Sequence, residues 1–166
     1  VDPPAPGEGP RGPAWLRGLL GDEYFQEIRA VTLFASTPSE ADLAALGRLE
    51  SIESINLHGA RLPGARVRDG GLARLASLPR LRRLVLAMGS IDDEGLRQVG
   101  RMRSLEILSL DRTAVSDAGI VNLGHLEHLR ELSLSDTRVS DAAAVVRRHL
   151  PKAKVLHPRP EDSPKC

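Results

Sequence analysis

A 24-residue period governs this chain: Leu105, Leu108, Leu110, Thr113, Val115, Asp117 and Leu126 return as Leu129, Leu132, Leu134, Thr137, Val139, Asp141 and Leu150. One period earlier stand Leu81, Leu84, Leu86, Ile91, Asp93, Leu96, Val99 and Met102. A segment of this length is one supersecondary unit that cannot bury its apolar side alone. Self-similarity at this spacing therefore specifies stacked turns, a solenoid, rather than a globule around one central core. Upstream, Ile52, Ile55 and Leu57 precede Leu81, Leu84 and Leu86 by 29 residues, and Ile28, Val31 and Leu33 lie 24 further back. The five extra residues fall in the loop 58–67. Five units result, starting at Ile28, Ile52, Leu81, Leu105 and Leu129, with a degenerate closing turn at Ala153, Val155 and Leu156 that completes a domain over 28–157.

Two shorter periods divide each unit. Leu108-Ser109-Leu110 and Leu132-Ser133-Leu134 alternate with period two, which predicts a strand with leucines in the core and serines on an exposed sheet face. Ile120, Leu123 and Leu126, like Leu96, Val99 and Met102, are spaced by three and predict a helical stripe. Between strand and helix, Ser39, Asp92, Ser116 and Ser140 share one repeat position, where a side-chain oxygen accepts a free amide at a helix start. Glu40, Asp93, Asp117 and Asp141 follow, where the helix dipole favours negative charge. Thr113 and Thr137 are expected to bond the turn backbone through their hydroxyls.

Outside the repeats the composition changes. Residues 1–13 are dense in proline and glycine and read as a disordered linker. Residues 14–20 form a short amphipathic segment opened by Pro13, and residues 14–27 make an N-terminal cap in which Trp15, Tyr24 and Phe25 are large enough to cover the open end of the stack. Pro158, Pro160 and Pro164 mark a disordered tail over 158–166. The single cysteine, Cys166, closes no internal disulfide and leaves the redox compartment open. No apolar run approaches the ~20 residues of a membrane helix. The chain reads as a soluble segment of undetermined localisation, and its start at Val1 leaves room for an upstream membrane tether.

The strings Thr113-Ala-Val-Ser-Asp-Ala-Gly-Ile120 and Thr137-Arg-Val-Ser-Asp-Ala-Ala-Ala144 resemble the turn of bacterial leucine-rich repeat proteins. These are related to the cysteine-containing repeats of F-box adaptors, with threonine in place of cysteine. The entry Pro13-Ala-Trp-Leu-Arg-Gly-Leu-Leu-Gly-Asp-Glu-Tyr-Phe25 and the exit Leu150-Pro-Lys-Ala-Lys-Val155 resemble the ends of such domains in Planctomycetes. The resemblance implies an α/β leucine-rich repeat solenoid, a right-handed β-α superhelix with a short parallel sheet on the concave face and helices on the convex face. It also implies a non-catalytic protein-interaction scaffold, acting as a monomer on an unidentified protein partner. A structural spacer in a membrane-anchored or multidomain protein is the alternative, and an F-box-like substrate adaptor a further one.

The exposed sheet face is expected to carry Ala30, Thr32 and Phe34; Ser54, Asn56 and His58; Arg83, Val85 and Ala87; Ile107, Ser109 and Asp111; and Glu131, Ser133 and Ser135. Five short strands offer on the order of 300 Å², against roughly 800 Å² per partner in a standard interface, so flanking loops must contribute. Binding energy concentrates on aromatic and arginine side chains, and no aromatic follows Phe34. The candidate contact residues are Phe34, Asn56, His58, Arg61, Arg83, Ile107, Asp111 and Glu131, with the 58–67 insertion as extra contact.

Other clusters read as structural. His125 and His128 occupy variable positions between consensus leucines rather than a metal site, and Asp111, Asp117, Asp136 and Asp141 serve turns and helix starts rather than calcium. Arg80, Arg82, Arg83, Arg101 and Arg103 form a basic cluster, but a net charge of +1 and the lack of interleaved aromatics argue for a solvated face and against nucleic acid. There is no phosphate loop, nucleophile elbow or histidine–cysteine pair, so no enzyme activity and no cofactor is expected.

Overall fold

The computed structural model describes residues 28–62, 71–140 and 148–156. The expected linker, N-terminal cap and tail, and residues 63–67 of the insertion, lie outside these. Six three-residue strands follow in chain order: β1 (Ala30–Thr32), β2 (Ser54–Asn56), β3 (Arg83–Val85), β4 (Ile107–Ser109), β5 (Glu131–Ser133) and β6 (Lys154–Leu156). Among the described residues, helices α1 (Glu40–Leu46), α2 (Gly71–Leu75), α3 (Asp93–Val99) and α4 (Asp117–Ile120) stand between them, α4 continuing into a 3-10 turn over Val121–His125.

The strands make one parallel sheet in the order β1-β2-β3-β4-β5-β6. Ala30 pairs with Ser54, Ser54 with Arg83, Arg83 with Ile107 and Ile107 with Glu131, so the repeat spacing, including the 29-residue step, is the register of the sheet. The residues read as a closing turn add a sixth strand, Lys154 lying opposite Glu131. Parallel neighbours require a crossover, and the helices supply it. The architecture is the expected α/β solenoid.

Period-two patterning decides which side of each strand is dry. Ile55, Leu84, Leu108 and Leu132 at the strand centres are wholly buried and belong to one continuous core with the helical residues Leu46, Leu75, Leu96 and Ile120. At the two ends of the stack, Val31 and Val155 are only partly buried.

Parallel hydrogen bonding runs beyond the strands. Ala35 N–H donates to the His58 carbonyl, Gly59 to Ala87, Met88 to Asp111 and Arg112 to Ser135, at 2.7–2.9 Å. These four donors, with Asp136, occupy one repeat position and all have positive φ, from 48° at Ala35 to 69° at Gly59. The chain must reverse here while its amide still faces the next turn, and the left-handed region allows both. Glycine occupies this column only at position 59.

Helix starts divide into two kinds. Ser39 accepts from the Asp42 amide in a full capping box, and the Asp92 side chain accepts from the Gly95 amide. Ser116 departs from the expected cap and makes no side-chain bond to its own helix. Instead its N–H and hydroxyl donate to the two carboxylate oxygens of Asp93, one turn back, at 2.7 and 2.6 Å. Ser140 donates in the same way to Asp117. A serine hydroxyl can cap or donate; a carboxylate presented by the preceding turn makes donation the stronger bond, because the acceptor is charged. Asp93 and Asp117 thus join consecutive turns rather than only balancing a helix dipole. Gly119 makes room for the first of these links, since a Cβ there would collide with the Asp93 carboxylate. Thr113 and Thr137 donate to the Leu110 and Leu134 carbonyls at 2.6 and 2.9 Å, as expected from their place in the turn.

Candidate functional site

Because the strands are in register, residues of the exposed sheet face fall into three rows across the stack. The first runs Ala30, Ser54, Arg83, Ile107, Glu131, Lys154, and the second Thr32, Asn56, Val85, Ser109, Ser133, Leu156. The third row, Phe34, His58, Ala87, Asp111, Ser135, is aligned by the hydrogen bonds that extend past the strands, but Ala87, expected on the exposed face, is buried.

Phe34 is 67% exposed, and its ring lies parallel to that of His58, with 5.1 Å between centroids and 5° between planes. That is an offset stack of the kind aromatic rings favour. Two side chains singled out separately in the sequence therefore form one flat, rigid surface at the corner made by the first two turns. Arg61 is exposed, and its N–H donates to the Ser36 carbonyl at 2.9 Å, which ties the start of the insertion to the first turn. Asn56 turns its side-chain oxygen to the His58 amide at 3.0 Å and so supports the stack from below.

The remaining candidates are dispersed. Arg83, Ile107 and Glu131 are successive members of the first row, on three adjacent strands. Asp111 is engaged by the fold: its carboxylate accepts from the Ser109 hydroxyl, the Ser133 hydroxyl and the Ser135 amide at 3.1, 2.6 and 2.8 Å. Met88, half exposed beside Ala87, is an apolar member of the face that was not singled out in the sequence. It occupies the reversal column where the next turns have Arg112 and Asp136, so the signal lies in comparing columns, not in local pattern.

Where the chain enters each strand, a column of charges alternates in sign. Arg29 pairs with Glu53 at 3.7 Å, while Glu106 pairs with Arg82 at 3.4 Å and with Arg130 at 3.9 Å. These pairs are solvated and each contributes well under about 1 kcal/mol.

Among the described residues no three metal-binding side chains cluster, and no helix is long and apolar enough to cross a membrane. A cleft of about 170 Å³ beside the last turn is lined by Gly124, Leu126, Glu127, His149 and Lys152 among others. Binding sites for drug-sized molecules start at roughly 300 Å³.

Residues 125–146 match the Leucine Rich repeat family. Among curated proteins, none matches the sequence. Internalin C2 from Listeria monocytogenes is similar in structure, with a TM-score of 0.61 at 23% identity over 80% of this chain and 53% of that one. A leucine-rich repeat protein from Leptospira interrogans gives a TM-score of 0.52 at 18% identity, over 68% of this chain and 27% of that one. The chain thus spans about half the length of the first relative and about a quarter of the second. At these identities the likeness is one of architecture, and it agrees with the strand register and the continuous leucine core: the chain has the leucine-rich repeat solenoid fold.

Proposed function

We propose that this chain is a non-catalytic protein-interaction scaffold whose contact centres on the Phe34–His58 stack. One observation carries the reading: the most exposed large apolar side chain of the described residues is held flat against a second ring on a rigid sheet face. An exposed aromatic stacked on a second ring needs less further ordering on binding than an unsupported one. Arg61 and Met88 extend this corner beyond the sheet, which alone is too small for a standard interface. The opposite half of the face, where Ser109, Asp111, Ser133 and Ser135 bond to one another, has its polar groups satisfied.

The test is affinity capture with the parent chain and a Phe34→Ala, His58→Ala variant whose circular dichroism is unchanged. A protein retained by the parent and lost by the variant supports the scaffold. Retention by neither favours the spacer reading, in which the sheet face has no dedicated ligand, and equal retention by both would place the contact away from this corner. An F-box-like adaptor would have to use the same corner, and has no separate support.

A further inference from the structure

A net charge of +1 disfavours a polyanion-binding face only if the free basic groups are spread evenly, and in this fold unpaired arginines gather on two adjacent turns. Each helix returns across the sheet, so helix starts and helix ends lie on opposite rims. The rim of helix starts holds Asp42, Asp92, Asp93, Asp111 and Asp117, whose carboxylates accept hydrogen bonds from amides or serine hydroxyls of the fold. The rim of helix ends holds Arg74 and Arg80 on one turn and Arg101 and Arg103 on the next, with Arg83 between them at the start of β3. All five are exposed, and among the described residues none has a carboxylate partner, whereas Arg82 between them is paired with Glu106. On the same rim Glu53 and Glu106 are held by Arg29, Arg82 and Arg130, and Glu127 and Glu131 stand one turn further on, while five guanidinium groups on two adjacent turns, about 5 Å apart, present unpaired donors.

We propose that this rim, distinct from the Phe34 corner, is a docking surface for an acidic polypeptide segment. Guanidinium forks match carboxylates two bonds at a time, and unlike lysine they arrive planar and preorganised. Single-stranded nucleic acid is the poorer fit, because its recognition uses aromatic platforms for the bases and no aromatic follows Phe34 in the chain. An extended acidic strand needs only charge and carboxylates along two turns.

The experiment is a fluorescence-anisotropy titration of the full chain with a labelled twelve-residue Asp/Glu-rich peptide, repeated across a salt series. Binding should weaken steadily with salt, because exposed charges are screened over about 10 Å at 0.1 M. An Arg80→Gln, Arg103→Gln variant should bind roughly tenfold more weakly. Arg112→Gln, Arg138→Gln, the same charge change on the opposite rim, should bind like the parent, as should Phe34→Ala; folding of each variant is checked by circular dichroism. No binding by the parent overturns the proposal. Equal loss in the two arginine pairs overturns it too, since only net charge would matter. A single-stranded oligonucleotide of matched charge, binding more tightly than the peptide and through the same two arginines, would reassign the rim to nucleic acid.

Discussion

Position 59 is the one place in the reversal column where glycine stands at φ 69°, the region where a side chain is strained. A Cβ there would meet Ala35 only at ordinary contact distance, so the cost of Gly59→Ala is conformational rather than steric. It should destabilise the fold by about 1 kcal/mol, read from the urea midpoint. Asp93 makes a larger claim, because one carboxylate receives two short bonds from Ser116. Asp93→Ala should cost roughly 1.5–3 kcal/mol. Gly119→Ala, which displaces that carboxylate without removing it, should lose a comparable amount, and adding it to Asp93→Ala should change little further. Independent, additive losses in the double variant would show that Gly119 has some other role. Neither the link nor the strained turns were legible in the sequence. Ser116 has the same local pattern as Ser39, and only the arrival of Asp93 from the preceding turn decides that its hydroxyl donates. Ala35, Met88, Arg112 and Asp136 carry no common residue type that would announce a positive φ.

Elements were read far more securely than residues, because strand and helix in a solenoid are dictated by which leucines face a neighbour. Leu108 at the centre of β4 is wholly buried between Leu84 and Leu132, its partners on β3 and β5. Leu108→Ala should leave a cavity shared by two interfaces and cost roughly 2–5 kcal/mol in urea denaturation. An unchanged midpoint would contradict the burial. The third row was legible as a row, since Phe34 and His58 stand one period apart. Their parallel rings were not, because ring orientation depends on the reversal at Ala35 and on the Asn56 bond beneath His58. The sixth strand was legible only as a degenerate closing turn at Ala153, Val155 and Leu156, because its step from β5 is one residue shorter than the repeat.

At the scale of the whole molecule, stability is a sum over neighbouring turns rather than over one centre. Central strands have a buried partner on both sides, while Val31 in β1 and Val155 in β6 are only partly covered. Hydrogen exchange should therefore be slowest for the amides of β3 and β4 and faster toward β1 and β6. Uniform protection across all six strands would mean that the stack opens only as a unit. The gathering of unpaired arginines on two adjacent turns is likewise a whole-molecule property. Composition reports near neutrality, and only the return path of each helix puts these arginines on one rim.

The charge column at the strand entrances limits how such an array can grow. Leucines are interchangeable between turns, and the unit from Leu105 carries both Ser116, which donates backward to Asp93, and Asp117, which accepts forward from Ser140. By those criteria a single copied unit would splice in anywhere after it. Glu106, however, lies between Arg82 and Arg130, and one copied unit would set a glutamate against a glutamate. Insertion of two units, glutamate then arginine, keeps the signs alternating. The module that can be duplicated without a like-charge junction is a pair of turns.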